Sequence, residues 1–255
     1  MDFREILKMN VDKNEVVLGV EGSDYLTIDI FYTPSVIITG QTGAGKSILL
    51  DQIILQLLSK YTSIELGLIA IDTSGVELQF YKDTNYTLYS AINDEEKAIV
   101  GISRILREVD RRKELLNSYN VSTVNEYNKV AYTKLPILVV AIEDNKSFLK
   151  NKDMEKMLAG IIKDLKGLNI VFLLATSDVH NKFFELDKNL MASLSLSFDY
   201  TNPDESRKVN LEDADKLGIG EFKVRYKGIE KIYHNFEFED KIINEVLERI
   251  SWMNY

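Results

Sequence analysis

The feature that most constrains this chain is an eight-residue match to the pattern G-x-x-x-x-G-K-[ST], namely Gly40, Gln41, Thr42, Gly43, Ala44, Gly45, Lys46 and Ser47. A short apolar run rich in β-branched residues, Ser35 to Thr39, precedes it and is typical of a buried parallel strand. Apolar residues at helical spacing follow it, from Leu49 to Leu58. Glycines in such a turn let several backbone N–H groups converge at the start of a helix, where anions bind. The eight residues therefore predict a strand, a turn and a helix that together hold the phosphates of a nucleotide.

Two side chains of this turn have predicted roles. Lys46 is expected to reach the β- and γ-phosphates, and the Ser47 hydroxyl is expected to hold a Mg²⁺ ion that bridges them. The alternative is a Gly-rich turn that merely connects a strand to a helix. The strand pattern before the turn and the helix pattern after it favour the nucleotide site.

Composition narrows the class of protein. The 255 residues include no cysteine and two separated histidines, which excludes a disulfide framework and a thiolate or histidine metal cluster. The longest apolar runs are shorter than the ~18 residues of a membrane span, and we expect a soluble, cytoplasmic protein without a signal peptide. The net charge of -9 argues against DNA as a partner, because proteins that bind nucleic acid nonspecifically usually carry a basic face.

Strand and helix patterns alternate along the chain. Buried strands are predicted at 35–39, 64–72, 136–142, 169–175 and 194–198, and helices at 94–118, 122–132, 146–165, 181–192 and 204–217. Alternation of this kind predicts an α/β fold with a mainly parallel, doubly wound sheet and a ligand at the carboxyl ends of the strands.

Both ends of the chain add antiparallel strands to this alternation. Hairpins are predicted from strands at 15–20 and 25–30 and from strands at 220–226 and 230–236, followed by a last helix at 239–250. We expect a single domain over residues 1–255, with an N-terminal ribbon at 15–33, a core at 34–220 and a C-terminal hairpin and helix at 221–255.

Two adjacent acids, Glu143 and Asp144, end the predicted strand at 136–142. We interpret them as catalytic: one orients Mg²⁺, together with Ser47, and the other positions and deprotonates the attacking water. The usual order in such ATPases is Asp then Glu. Because the order is reversed here, each carboxylate is displaced by about 1 Å, an error that costs ~100-fold in rate, so binding is expected to survive better than hydrolysis. Capping of the next helix is the alternative.

Five further residues are candidates for the functional site, and each also has a structural interpretation. Asp72 ends a strand at the expected ligand edge and either acts there or forms a turn. Thr176 and Ser177 follow another strand and either sense a γ-phosphate or cap the strand end. Arg111 and Arg112, on the helix at 94–118, either face solvent and pair with nearby acids or reach the nucleotide of a neighbouring subunit in a ring.

These residues resemble the FtsK/SpoIIIE motor ATPases over roughly residues 15 to 236. The shared landmarks, beyond the phosphate-binding turn, are Val17 to Val20, Ile71-Asp72, Val76 to Leu78 with Tyr81, Glu108 to Arg112, Leu135-Pro136, Leu174 to Thr176 and Ala214 to Phe222. The resemblance implies a RecA-like fold and ATP as the nucleotide. One departure is that Ser177, Asp178 and Val179 stand where the family has Gln, Arg and Pro, so its sensor glutamine and arginine are missing.

With its acid pair reversed and its sensor residues missing, the chain resembles a degenerate copy of the motor. In this it is similar to C-terminal modules of type VII secretion ATPases of the EssC/EccC type. That similarity implies an ATP- and Mg²⁺-binding module on the cytoplasmic side of a bacterial membrane. It also implies small helical-hairpin export proteins as substrates, sibling ATPase modules as partners and a hexamer as the assembly. The alternative is a hexameric DNA-translocating ATPase of the FtsK or conjugative kind.

Overall fold

The computed structural model describes residues 1–144, 152–177, 194–197, 216–218, 220–226 and 229–253. Its strands are β1 (Glu15–Glu21), β2 (Asp24–Asp29), β3 (Ser35–Thr39), β4 (Leu66–Asp72), β5 (Thr87–Ile92), β6 (Ile137–Asp144), β7 (Ile170–Thr176), β8 (Leu194–Ser197), β9 (Glu221–Tyr226) and β10 (Ile229–His234). Its helices are α1 (Phe3–Ile6), α2 (Lys46–Lys60), α3 (Glu95–Ser118), α4 (Val124–Val130), α5 (Lys152–Lys163) and α6 (Lys241–Met253), with a 3₁₀ helix at Leu78–Tyr81. Among these helices, none has the length and apolarity that crossing a membrane requires.

The strands form one ten-stranded sheet in the order β2-β1-β10-β9-β8-β3-β7-β6-β4-β5. From β8 to β5 neighbouring strands are parallel, whereas β2, β1, β10 and β9 are joined to each other and to β8 by antiparallel pairing. The predicted α/β class, with a parallel centre and antiparallel additions from both ends of the chain, is confirmed. Because β1 pairs with β10, the two hairpins extend the same side of the sheet.

Helices cover both faces of the sheet. Successive strand residues point to opposite faces, so a strand that is apolar at every position needs a covering layer on each side. In β3, Val36 and Ile38 belong to a core that includes residues of α1, α2 and α6. Ile37 belongs to a second core, formed with α3, α4 and α5. The need to fill two cores explains why β3 is buried at every position instead of alternating. This arrangement leaves the carboxyl ends of the parallel strands as the edge at which a ligand binds.

β5, which was not predicted from the sequence, lies at one end of the described sheet and pairs with β4. Polar residues interrupt this strand and Leu88 is exposed, so its apolar pattern is weak. The prediction for the long helix, 94–118, agrees closely with α3. The predicted helix at 181–192 and nearly all of the one at 204–217 lie outside the described residues.

A buried carboxyl group links α2 to the 3₁₀ helix. Asp51 accepts a hydrogen bond of 2.8 Å from the hydroxyl of Tyr81. Burial raises the pKa of Asp51 well above its ordinary value, and the charges of Glu143, Glu77 and Asp240 add to the rise, while the bond from Tyr81 opposes it. Since the pKa is higher in the folded than in the unfolded chain, the stability that this group contributes is present at low pH. It is lost as the pH rises through the folded-state pKa.

We therefore expect Asp51→Asn to stabilise the protein at neutral and higher pH by about 1 kcal/mol or more, because the amide oxygen keeps the bond from Tyr81 without a buried charge. Urea unfolding at about pH 5 and about pH 8 measures the effect, and the gain should be larger at the higher pH. Asp83→Asn, at an exposed position, is the matched control and should change little. An Asp51→Asn gain that is equal at both pH values contradicts this account.

Candidate nucleotide-binding site

The predicted phosphate-binding turn connects β3 to α2 and depends on its glycines. Gly40, Gly43 and Gly45 have φ angles of 148°, 82° and 109°, values that residues with a side chain rarely adopt. Gly45 is the N-cap of α2 and contributes no side-chain hydrogen bond to the first turn of the helix. No side chain of Gly45 therefore occupies the N–H groups in the first turn of α2. N–H groups of this kind at the start of a helix bind phosphate.

Lys46, the first residue of α2, lies inside the turn. The residue is 3% exposed, and its ammonium group donates a hydrogen bond of 3.0 Å to the carbonyl oxygen of Gln41. Burial lowers the pKa of Lys46, and the negative charges of Glu143 and Glu77 oppose that shift. A phosphate in the turn would offer the ammonium group charged acceptors, which bind it more strongly than the carbonyl does.

Ser47 connects the turn to the carboxylate strand. Its hydroxyl donates a hydrogen bond of 3.2 Å to Oε1 of Glu143, near the end of β6. The two residues are 96 positions apart in the chain, so this contact depends on the order in which the strands assemble. It places a hydroxyl oxygen and a carboxylate oxygen side by side next to the phosphate-binding turn.

The remaining predicted catalytic and sensor residues lie on the same sheet edge. Alternation along β6 places Asp144 on the face opposite to Glu143, and both side chains are buried. Asp144 pairs in register with Thr176 of β7, which pairs in turn with Thr39, the last residue of β3. Ser177 follows Thr176 directly. Neighbouring strands are ~4.8 Å apart, so Thr176 and Asp144 lie about one and two strand spacings from the start of the turn.

Asp72 ends β4 at this edge, but its carboxylate binds its own loop. Oδ1 accepts hydrogen bonds from the backbone N–H of Ser74 (2.8 Å), the hydroxyl of Ser74 (2.6 Å) and the N–H of Gly75 (2.9 Å). Oδ2 accepts from the N–H groups of Glu77 (2.8 Å) and Leu78 (3.1 Å). Of the two interpretations that the sequence left open, this geometry favours the turn-forming one.

The two arginines lie far from the turn. Arg112 is 2% exposed and donates to Glu108 and to the carbonyl oxygens of Leu168 and Asn169, just before the amino end of β7. β7 is seven residues long, so its amino end is about 20 Å from the edge that carries the turn. Arg111 pairs with the same Glu108 and has an exposed side chain. The burial of Arg112 argues against a role in a neighbouring subunit, and for Arg111 that role stays a prediction.

Glu77, for which no role was predicted, lies on the loop after β4, where its N–H group donates to Oδ2 of Asp72. Burial raises the pKa of Glu77 and the charges of Asp72 and Asp240 add to the rise, while nearby Lys46 and Ser47 oppose it. Both opposing groups belong to the phosphate-binding turn. The sequence signal was an acid five residues beyond the turn-forming Asp72, within the landmark Val76 to Leu78.

A glycine-rich turn with the predicted phosphate-binding pattern thus lies next to a carboxylate strand on a doubly wound sheet. The family model described as the FtsK/SpoIIIE family matches residues 5–166, which is more than half of the chain. The chain therefore belongs to the FtsK/SpoIIIE family, as its resemblance to these ATPases indicated.

Among its relatives is the DNA translocase FtsK of Helicobacter pylori (strain J99 / ATCC 700824), which is 31% identical over 187 residues. The match covers 68% of this chain and 22% of that protein, so this chain spans about a fifth of the length of the relative.

Two solved structures share the fold. The pCW3 conjugation coupling protein TcpA, in a monomer form with ATPγS, has a TM-score of 0.80 and 20% identity, covering 98% of this chain and 73% of TcpA. The cytoplasmic domain of the type VII secretion ATPase EccC of Thermomonospora curvata has a TM-score of 0.79 and 17% identity, covering 98% of this chain and 34% of EccC. At these identities the likeness shows the fold alone.

Proposed function

We propose that this chain binds ATP with Mg²⁺ in the turn between β3 and α2. The observation that carries the proposal is the hydrogen bond between Ser47 and Glu143, because it brings a hydroxyl and a carboxylate oxygen, the ligands that Mg²⁺ prefers, next to the phosphate-binding turn. In the described ranges, no group of three or more His, Cys, Asp or Glu side chains forms a metal cage. The pair of Ser47 and Glu143 fits Mg²⁺, which takes one or two protein ligands together with phosphate oxygens and water.

Each residue has one role in this proposal. The backbone from Gly40 to Ser47 holds the phosphates, and Lys46 neutralises the β- and γ-phosphates. Ser47 and Glu143 hold the ion, which when bound neutralises charge on the phosphates. Asp144 positions the attacking water, and its short side chain makes hydrolysis by this chain alone slow. The γ-phosphate sensors of the proposal are Thr176 and Ser177.

We further infer that the chain is a module of a type VII secretion ATPase that engages small helical export proteins. The net charge of -9 supports a protein substrate over DNA, since a DNA track requires basic contacts. The fold shared with EccC is consistent with this assignment. In this proposal residues 1–255 act as one domain beside sibling ATPase modules, in a hexamer on the cytoplasmic side of a bacterial membrane.

DNA translocation is the second candidate function. The observation in its favour is the 31% identity with the Helicobacter pylori protein, whose name is DNA translocase FtsK. In that case the chain would act as a hexamer on duplex DNA, and Arg111 would contact the nucleotide of a neighbouring subunit.

Binding and turnover measured with two probes separate these functions. We expect the folded chain, with ATP and Mg²⁺, to bind a small helical-hairpin secretion substrate. We expect no measurable affinity for a duplex of about 30 base pairs at low salt, where electrostatic binding to DNA is strongest. ATP turnover is measured with each probe, and a Lys46→Ala variant gives the background. ATP turnover that rises when duplex DNA is added would discard the secretion assignment in favour of the DNA translocase.

A further inference from the structure

We propose that the outer edge of β5 is a docking site for an extended, acidic segment of a partner protein, which adds to the sheet as a further strand. β5 lies at one end of the described sheet and, among the described residues, pairs with β4 alone. An edge strand presents unpaired backbone N–H and C=O groups, to which extended segments bind by strand addition. The inference goes beyond the proposed function, because it uses neither the nucleotide nor the phosphate-binding turn.

The backbone groups at this outer edge belong to Ser90 and Ile92. The N–H group of Asn93, directly after the strand, donates to the carbonyl oxygen of Asp72 on β4 at 2.7 Å. Backbone groups of successive strand residues point alternately toward and away from the neighbouring strand. Those of Ser90 and Ile92 therefore point away from β4, and each residue presents one donor and one acceptor to a further strand.

This edge has little of the protection that native edge strands usually have against strand addition, namely charged side chains, proline or a bulge. The sequence of β5, Thr-Leu-Tyr-Ser-Ala-Ile, contains no charged residue and no proline. A bulge is present at Leu88, where the register with β4 shifts, but the pairing from Tyr89 to Ile92 is regular. By contrast, β2 at the other end of the described sheet begins and ends with aspartate.

The side chains beside this edge favour an acidic partner. The guanidinium group of Arg104 on α3 lies over the ring of Tyr89, 4.6 Å from the ring centre. Arg107, one turn further along α3, donates to the backbone carbonyl oxygen of Ser103. Both arginines are exposed, and the ion pairs of α3 among the described residues involve other basic side chains. Two cations without a carboxylate partner therefore lie on the helix that packs against β5.

An apolar contact and the sign of the charge narrow the choice of partner. Leu88 is 62% exposed and lies against Gly67, so an added strand can cover it. A second copy of the chain fits less well, because two β5 strands paired with each other would bring the arginines of both copies together. The partner segment is therefore one that combines β-branched residues, which favour extended structure, with Asp or Glu.

Selection from a library of random twelve-residue peptides, with the folded wild-type protein as the target, tests this inference. We expect the selected peptides to be rich in β-branched residues and to carry Asp or Glu. Bound peptide should slow the amide hydrogen exchange of Ser90 and Ile92. Ser90→Pro removes an outward N–H group and no bond to β4, so it should weaken binding about tenfold, the upper end of what one hydrogen bond contributes. Ser90→Ala keeps that N–H group and should bind as the wild type does.

A charge variant tests the second part of the inference and decides the question if circular dichroism shows that Ser90→Pro is unfolded. Arg104→Glu should weaken binding of the selected peptides several-fold. Lys129→Glu makes the same charge change at an exposed position on α4 and should have little effect.

Three results would overturn the inference. A library that yields no binding peptide, or peptides that bind Ser90→Pro as tightly as Ser90→Ala, would exclude docking at this edge. Equal binding to Arg104→Glu and Lys129→Glu would exclude an acidic partner. A wild-type protein that dimerises in sedimentation experiments while Ser90→Pro stays monomeric would assign the edge to a second copy of the chain instead.

Discussion

Replacing Lys46 with alanine is expected to weaken ATP binding about 100-fold while leaving the protein folded. Hydrogen bonds from a charged group contribute about 1.5–3 kcal/mol, and loss of the ammonium group from the β- and γ-phosphates removes about 3 kcal/mol in total. In the described residues, the hydrogen bond that the side chain of Lys46 makes is the one to the Gln41 carbonyl. Loss of that bond should not unfold the turn, whose shape depends on its glycines.

Isothermal titration with ATP and Mg²⁺ measures this effect, with circular dichroism as the test of folding. Lys82→Ala is the matched control, because it removes a lysine that is exposed next to the 3₁₀ helix. The control should bind ATP as the wild type does. A folded Lys46→Ala protein with undiminished affinity would show that phosphate does not bind in this turn.

Replacing Asp72 with alanine is expected to lower the free energy of unfolding by about 3 kcal/mol or more. The carboxylate is buried and accepts five hydrogen bonds, four of them from backbone N–H groups of the loop that follows β4. Alanine leaves these donors without their acceptor. A loss of this size corresponds to a fall in Tm of roughly 10 °C for a chain of this length.

Thermal and urea unfolding followed by circular dichroism measure the loss. Asp164→Ala is the control, since Asp164 forms an ion pair with Lys113 in which both side chains are more than a third exposed. Exposed pairs contribute about 0–1 kcal/mol, so the control should stay close to the wild type. Equal stability losses in the two variants would mean that Asp72 does not hold the loop after β4.

The parallel core could be predicted because its signals are local. β3 is apolar at every central position, the turn after it matches a spaced pattern, and α2 follows with helical periodicity. The pairing of β1 with β10 could not be predicted in this way, since it joins residues more than 200 positions apart. β5 was missed because an edge strand with an exposed Leu88 lacks the continuous apolar run of a buried one.

In the candidate site, too, residues with a local sequence signal could be predicted and those that depend on distant contacts could not. Gly40 to Ser47 and the acids at the end of β6 are each visible within a short stretch of sequence. The position of Glu77 depends on the hydrogen bonds with which Asp72 holds the loop after β4. The burial of Arg112 depends on carbonyl groups 56 and 57 residues further along the chain. The contacts of Arg112 have no periodic or spaced signal, and the signal of Glu77 is its distance of five residues from Asp72.

A crystal structure of the protein with Mg²⁺ and a non-hydrolysable ATP analogue tests the central claim most directly. We expect triphosphate density between β3 and α2, with the Lys46 ammonium group moved from the Gln41 carbonyl to phosphate oxygens and the ion bound to the Ser47 hydroxyl. An empty turn at saturating nucleotide, or an analogue bound with its phosphates elsewhere on the protein, would contradict the claim.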